Sequence, residues 1–244
     1  KKVNVEYVSA NPTGHLHLGH ARGASYGDNL TRVLNYAGYQ VDREYYINDA
    51  GNQIDNLTLS VKARYKELCG IESSMPEDGY HGKEIIGVAK KVYDEHGKSV
   101  NDDDIFRTSG LNFLLDKIKE DLKNFRVEFD IWSSEQSLYD NGLVKDALEK
   151  LKTTSYVYEQ EGALWLKTTA FNDEKDRVLI KSDNTNTYLL PDVAYHMLKY
   201  KRGYDILIDV LGADHHGYVP RLKAAIDIVG EDSSKLHVEI LQMV

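Results

Sequence analysis

Val3, Val5 and Tyr7 alternate with polar residues at the period of a β-strand, and Val8 extends the apolar end. After Gly19 the spacing of Ala21, Ala24, Leu30, Val33, Leu34 and Ala37 predicts one apolar helix face, stopped by Gly38. The stretch VDREYYI (41–47) predicts a second strand. It leads into a helix carrying Ile54, Leu57, Val61, Tyr65 and Leu68, closed by Gly70. Strand, helix, strand, helix in that order predicts an α/β fold: a Rossmann-like parallel sheet with crossover helices.

The middle of the chain breaks this rhythm. Residues 72–82 are loop-like, helices are expected near 83–96 and 103–125, and VEFDIW (127–132) reads as another sheet strand. YVYEQEGALWL (156–166) predicts a β-hairpin. RVLIKSDNTNTYLL (177–190) predicts strand, polar turn and strand, giving antiparallel β structure inside an α/β pattern. The α/β rhythm then resumes with a helix over 193–200, a near-continuous apolar strand in DILIDVLG (205–212), a helix to Val229 and a strand at 236–243.

Composition narrows the function class. The net charge of −9 argues against a free-standing nucleic-acid binder and suits a cationic ligand, or simply an acidic surface. The single cysteine excludes an internal disulfide framework and fits a reducing, cytoplasmic setting. No apolar run has the length of a membrane span, about 20 residues, so no membrane partner is expected.

The densest chemistry lies in SANPTGHLHLGHARG (9–23). A strand ends, Pro12 and Gly14 turn the chain, and a helix begins near Gly19. In open α/β sheets phosphates collect at such a helix N-terminus. Gly19 admits close approach of a nucleotide, and His17 and His20 can donate to phosphate oxygens. A metal held by His15, His17 and His20 is the rival reading. Their spacing is not the helical i, i+4 pairing, and no neighbouring Cys or Glu completes a ligand set, so the nucleotide reading is favoured and no metal is expected. GADHHG (212–217) raises a second metal alternative, because an Asp-His-His run also marks a phosphoesterase family; the further Asp residues that family needs are not evident.

HLGH (17–20) resembles the His-Ile-Gly-His signature of class I aminoacyl-tRNA synthetases. VEYVSANPTGHLHLGHARGA (5–24), YYINDAGNQI (45–54), YLLPDVAYH (188–196) and GADHHGYVPRLKAA (212–225) together resemble the arginyl-tRNA synthetase family. The resemblance implies ATP-dependent activation of L-arginine and its transfer to tRNA(Arg), with ATP used as its Mg²⁺ complex. It implies a catalytic domain divided into 1–133 (with a helical loop insert at about 72–103), a connective insertion at 134–187, and 188–244. By resemblance His17 and His20 are catalytic, and Gly14, Gly19, Gly212 and His215 join them in binding ATP. Glu6, Tyr188 and Asp192 would take the guanidinium, Asn11 and Asp214 the α-amino group, and Ser9, Ala10 and His20 the remaining arginine contacts. Carboxylates and a phenol suit a planar fork of donors.

LLPD (189–192) departs from the commoner Thr-bearing forms of the family. The family's Lys-Met-Ser-Lys loop is expected after HVEILQM (237–243), and its anticodon-binding domain is not in the sequence. The expectation is therefore a monomeric catalytic-domain fragment, inactive by itself. Two alternatives stay open: another nucleotidyltransferase of this fold, or a non-catalytic arginine-binding relative.

Overall fold

The computed structural model describes residues 1–242. In chain order the elements are β1 (Lys2–Glu6), α1 (Leu18–Tyr36), β2 (Gln40–Ile47), α2 (Asn52–Leu68), α3 (Lys83–His96), α4 (Asp103–Asn124), β3 (Ile131–Ser134), α5 (Glu135–Asp140), α6 (Leu143–Lys152), β4 (Val157–Gln160), β5 (Ala163–Leu166), β6 (Arg177–Ile180), α7 (Leu189–Lys201), β7 (Ile206–Gly212), α8 (Val219–Ile228) and β8 (Leu236–Leu241). They fall into two compact units. The first holds Lys1–Ser9, Gly19–Tyr46 and the chain from Phe129 onward; the second holds Ala10–Leu18 and Ile47–Glu128.

The first unit is built on a five-stranded sheet in the order β3-β2-β1-β7-β8, in which β1 pairs in parallel with β2 and β7, and β7 with β8. This is the Rossmann-like arrangement the strand–helix rhythm predicts. The strand order reverses at β1, and ligands of such sheets bind beyond the carboxyl ends of the strands at that switch point. A separate antiparallel sheet, β4-β5-β6, buries Leu166 and Leu179 against Leu151 of α6, Leu190 and Val193 of α7 and Ala225 of α8. Helix α1 lies close to the chain leaving β1. A Cβ built on Gly27 would stand 2.2 Å from the Tyr7 ring, so only glycine fits there. Gly38, with φ +90°, closes α1: its amide donates to the Asn35 carbonyl and the Tyr39 amide to the Leu34 carbonyl.

The second unit is helical. Leu57, Val61 and Tyr65 of α2 bury their faces against Ile85, Val88 and Val92 of α3 and Phe106 and Leu114 of α4. The Tyr65 hydroxyl donates to the Gly97 carbonyl at 2.6 Å and accepts from the Val100 amide at 3.0 Å. Asp102 caps α4 by accepting from the Asp104 amide.

Several expected boundaries move. β1 ends at Glu6 rather than at Val8, because Val8 and Ser9 adopt positive φ and turn the chain. α1 begins at Leu18, one residue ahead of Gly19. The strand expected over 127–132 is displaced to β3 at 131–134. Arg126 has φ +64°, and Phe129 packs its ring against Tyr7, Tyr45 and Trp132 instead of pairing in the sheet. The second strand expected before residue 190 is absent among the described residues; a lone bridge joins Ile180 and Asn186, and α7 has begun by Leu189. Asp183 accepts from the Thr185 amide and hydroxyl to close a local turn, and Pro191 sits in the first helical turn, where no amide donor is required. β8 ends at Leu241, and Met243 of the expected last strand lies outside the described residues.

Candidate functional site

The carboxyl end of β1 is a tight corner. Val8 (φ 69°) and Ser9 (φ 41°) occupy the left-handed region without being glycine, a conformation concentrated at functional sites. The Ser9 hydroxyl donates to Glu6 Oε1 at 3.1 Å and accepts from the Tyr46 amide at 3.0 Å. The corner is thereby tied both to the strand it leaves and to β2.

Beside that corner the sheet carries an acidic row. In the parallel register Glu6 of β1 stands opposite Glu44 of β2 on one side and Asp209 of β7 on the other. Neighbouring strands lie about 4.8 Å apart, so the three carboxylates would repel strongly without counter-charges. Helix α7 supplies them. Lys199 Nζ donates to Glu6 Oε2 at 2.5 Å and to Asp209 Oδ1 at 2.8 Å, and lies 4.5 Å from the centre of the Tyr195 ring. Arg202, which ends the helix, bonds both Glu44 oxygens at 2.8 and 3.0 Å. Asn4 and Ser133 complete the Glu44 shell. Between Asp192 and Lys199, His196 joins Asp209 Oδ2 (2.8 Å) to the Asp192 carbonyl (2.8 Å). Asp192 in turn accepts a hydrogen bond from the Tyr218 hydroxyl. Asp192, His196 and Lys199 recur at i, i+4 and i+7, a polar seam on the face of α7 where an apolar stripe would be usual.

Burial and charge set the ionisation of this cluster. Glu6 is 7% exposed; burial pushes its pKa up, and Lys199 only partly offsets that. Burial alone would also raise Asp209, yet Lys199 and His196 outweigh it and hold Asp209 well below the usual carboxylate range. Lys199 is fully buried, which opposes its charge, but Asp209, Glu6 and Glu44 overcome this and keep it protonated. His196 is likewise raised by Asp209 against the effect of burial. Glu44 stays low despite burial, through Lys199, Ser133 and Arg202. Asp192 is pushed up to about 6 by burial, with Tyr218 and His196 opposing and Glu6 and Asp209 adding to the rise.

The structure places the residues singled out in the sequence as follows. Glu6, Ser9, Gly19, His20, Tyr188, Asp192, Gly212 and His215 belong to the first unit. Gly19 and His20 sit in the first turn of α1, Gly212 ends β7, and His215 lies in the short 3-10 segment Ala213–Tyr218. Tyr188 precedes α7 and is 76% exposed, while Asp192 is tied down by Tyr218. Ala10, Asn11, Gly14 and His17 belong to the second unit, where Ala10 is buried and Asn11 exposed. His15 there lies 3.7 Å from Glu84. The side chains of Asp214 and His216 lie outside the described residues. Sequence reading missed Lys199, Asp209, His196, Glu44, Arg202 and Tyr218. The Asp interrupting the apolar run ILIDVL could have found Asp209, and the i, i+4, i+7 polar spacing in DVAYHMLK could have found His196 and Lys199; neither signal marks Glu44, Arg202 or Tyr218.

Among the described residues no group of three or more His, Cys, Asp or Glu side chains is placed to hold a metal ion, and no helix is long and apolar enough to cross a membrane.

Comparison with known proteins agrees with this architecture. The family described as tRNA synthetases class I (R), catalytic domain, matches residues 1–242. Arginine--tRNA ligase of Bacillus subtilis is 58% identical over the whole chain, which spans 45% of that relative's length. A solved Campylobacter jejuni structure, provisionally named arginyl-tRNA synthetase, superimposes with a TM-score of 0.92 at 42% identity, covering 100% of this chain and 55% of that one. The Thermus thermophilus arginyl-tRNA synthetase shares the fold at a TM-score of 0.68 and 21% identity, with 99% of this chain and 48% of that one covered. The chain thus spans about half the length of the relatives it matches.

Proposed function

Because the chain belongs to the class I tRNA synthetase (R) catalytic-domain family, we propose that it activates L-arginine with Mg-ATP for transfer to tRNA(Arg). In the proposed reaction an oxygen of the arginine α-carboxylate bonds to the α-phosphorus of ATP. The bond to the β-phosphate bridging oxygen breaks, and pyrophosphate leaves. The adenylate is then attacked by a ribose hydroxyl of the tRNA, which takes the arginyl group and releases AMP. No protein nucleophile is required. Catalysis of this kind comes from positioning and from stabilising developing phosphate charge.

One observation carries the reading: the acidic row at the switch point of the sheet. Among the described residues, four carboxylates, on Glu44, Glu6, Asp209 and Asp192, meet two fixed cations, Lys199 and Arg202. His196 adds a third when protonated. A negative excess beside the end of β1 is complementary to a guanidinium. Glu6 has acceptor capacity left after bonding Ser9 and Lys199, since a carboxylate accepts about four hydrogen bonds. Tyr188 and Asp192 are assigned with Glu6 to the guanidinium, Asn11 and Asp214 to the α-amino group, and Ser9, Ala10 and His20 to the rest of the amino acid. His17 and His20 are assigned as donors to the triphosphate, beside Gly14, Gly19, Gly212 and His215. The sequence block 5–24 supports the histidine assignment. We place the protein in the cytoplasm as a monomer.

Arginine-dependent ATP–pyrophosphate exchange and tRNA charging by the full-length protein test the proposal. Arginine should support both and lysine neither. Charging with lysine as readily as with arginine would overturn it.

A further inference from the structure

Lys199 is the least expected member of the acidic row. It is fully buried, yet all its donor directions are accounted for by Glu6, Asp209 and the Tyr195 ring. It therefore cannot reach a ligand. Its most direct route to one is through Glu6, to which it donates.

We propose that Lys199 and Asp209 are a positioning pair that fixes the Glu6 carboxylate in charge and orientation, and so sets the preference of the site for a cationic side chain. This rests on the arginine reading of the site. The two residues act in opposite senses. Lys199 keeps Glu6 and Asp209 ionised side by side; without it two buried carboxylates on adjacent strands would have to share a proton. Asp209 takes up the charge of Lys199; without it Lys199 would neutralise Glu6 and leave nothing for an incoming guanidinium. The hydrogen bond from Lys199 to Oε2 and the one from Ser9 to Oε1 also hold the carboxylate plane. The titratable and charged groups around Glu6 are Glu44 and Tyr46 from β2, Asp192, Tyr195, His196 and Lys199 from α7, and Asp209 from β7.

The two roles have different signatures in KM for arginine, measured in the full-length protein from about pH 6 to about pH 9. In Lys199→Gln, KM for arginine should rise at least about tenfold near neutral pH and fall back as pH rises and the shared proton leaves. In Asp209→Asn it should rise by about tenfold at every pH, with no alkaline recovery, the effect of one lost charge at an effective dielectric near 20. In both variants KM for ATP should stay within about threefold of wild type, which general damage to the fold would not allow. If Lys199→Gln does not fold, Asp209→Asn decides alone. A pH-independent rise confined to arginine supports the pair, and unchanged KM overturns it.

Glu6→Gln separates the two levels of the argument. If it leaves KM for arginine unchanged, the arginine reading of the site fails. If it raises KM while Lys199→Gln and Asp209→Asn both keep the wild-type value and pH profile, the positioning pair alone fails.

Discussion

Glu6 and Asp209 face each other across the β1–β7 pairing, and a single buried ammonium, Lys199 Nζ, lies 2.5 Å from one and 2.8 Å from the other. Two carboxylates on neighbouring strands are unfavourable unless a cation is built between them. That cation comes from α7 and lies 193 residues away from Glu6 in sequence. The arrangement ties the two halves of the sheet together and keeps a charged face beside the end of β1.

The second salt link along the same helix is structural. Glu44 is completely buried, and Arg202 is its one guanidinium partner among the described residues. Arg202→Met should destabilise the protein by about 3 kcal/mol, the low end for uncovering a buried charge, because Asn4 and Ser133 still bond Glu44. Chemical denaturation of the variant against wild type checks this. A loss below about 0.5 kcal/mol, the size of an exposed pair, would show that Glu44 is not held as described.

Asp192 should give arginine binding an acid limb. Its pKa is raised to about 6, with Tyr218, His196, Glu6 and Asp209 facing it. Below that value the carboxyl is neutral and offers a guanidinium less. Affinity for arginine should fall by up to about tenfold per pH unit below 6, and the dependence should flatten in Asp192→Asn. The stability effect has the opposite sign. A carboxyl whose pKa rises on folding binds its proton more tightly in the native state. Its contribution is complete below the unfolded value of 3.8 and is lost as pH rises through about 6, amounting to about 1–3 kcal/mol. Isothermal titration across this range reads the binding effect, and denaturation midpoints read the stability effect.

Gly27→Ala should destabilise by about 1–3 kcal/mol, since the new methyl meets the Tyr7 ring with no room to retreat. Gly23→Ala, on the same helix with nothing within 4 Å, should stabilise by about 0.5–1 kcal/mol through helix propensity alone. Thermal melts of the two variants should move in opposite directions. Parallel shifts would mean that the approach of Tyr7 to α1 is misplaced.

The alternation in VNVEY makes β1 legible, though alternation as such ordinarily goes with one buried face and one wet face. Val3 and Val5 are buried, and so are Asn4 and Glu6, because both faces of the sheet are covered. Periodicity does not distinguish a polar residue facing water from one facing its counter-ion. Lys199 illustrates the same limit: within a helix ending in Lys-Tyr-Lys-Arg it reads as one more surface cation. Helices α1 and α2 are legible from period and punctuation. The start of α7 was not, since Leu189 and Leu190 continue an apolar run that suits either strand or helix. Glu6 and Asp192 came from motif blocks; the groups that govern their charge come from tertiary contacts far apart in the chain.

In the second unit, Tyr65→Phe removes a hydroxyl that bridges the Gly97 carbonyl and the Val100 amide. The expected cost is about 1–2 kcal/mol, with faster amide exchange at Val100. Hydrogen exchange unchanged at Val100 would place that amide's partner elsewhere.

The most direct test of the central claim, that an excess of buried negative charge recognises a guanidinium, is calorimetry of the full-length protein with arginine and with citrulline. Citrulline keeps the shape and replaces the guanidinium by a neutral urea. Arginine should bind at least about 100-fold more tightly, roughly 3 kcal/mol, the scale of one desolvated charge partner. Equal affinity for the two ligands would contradict the account.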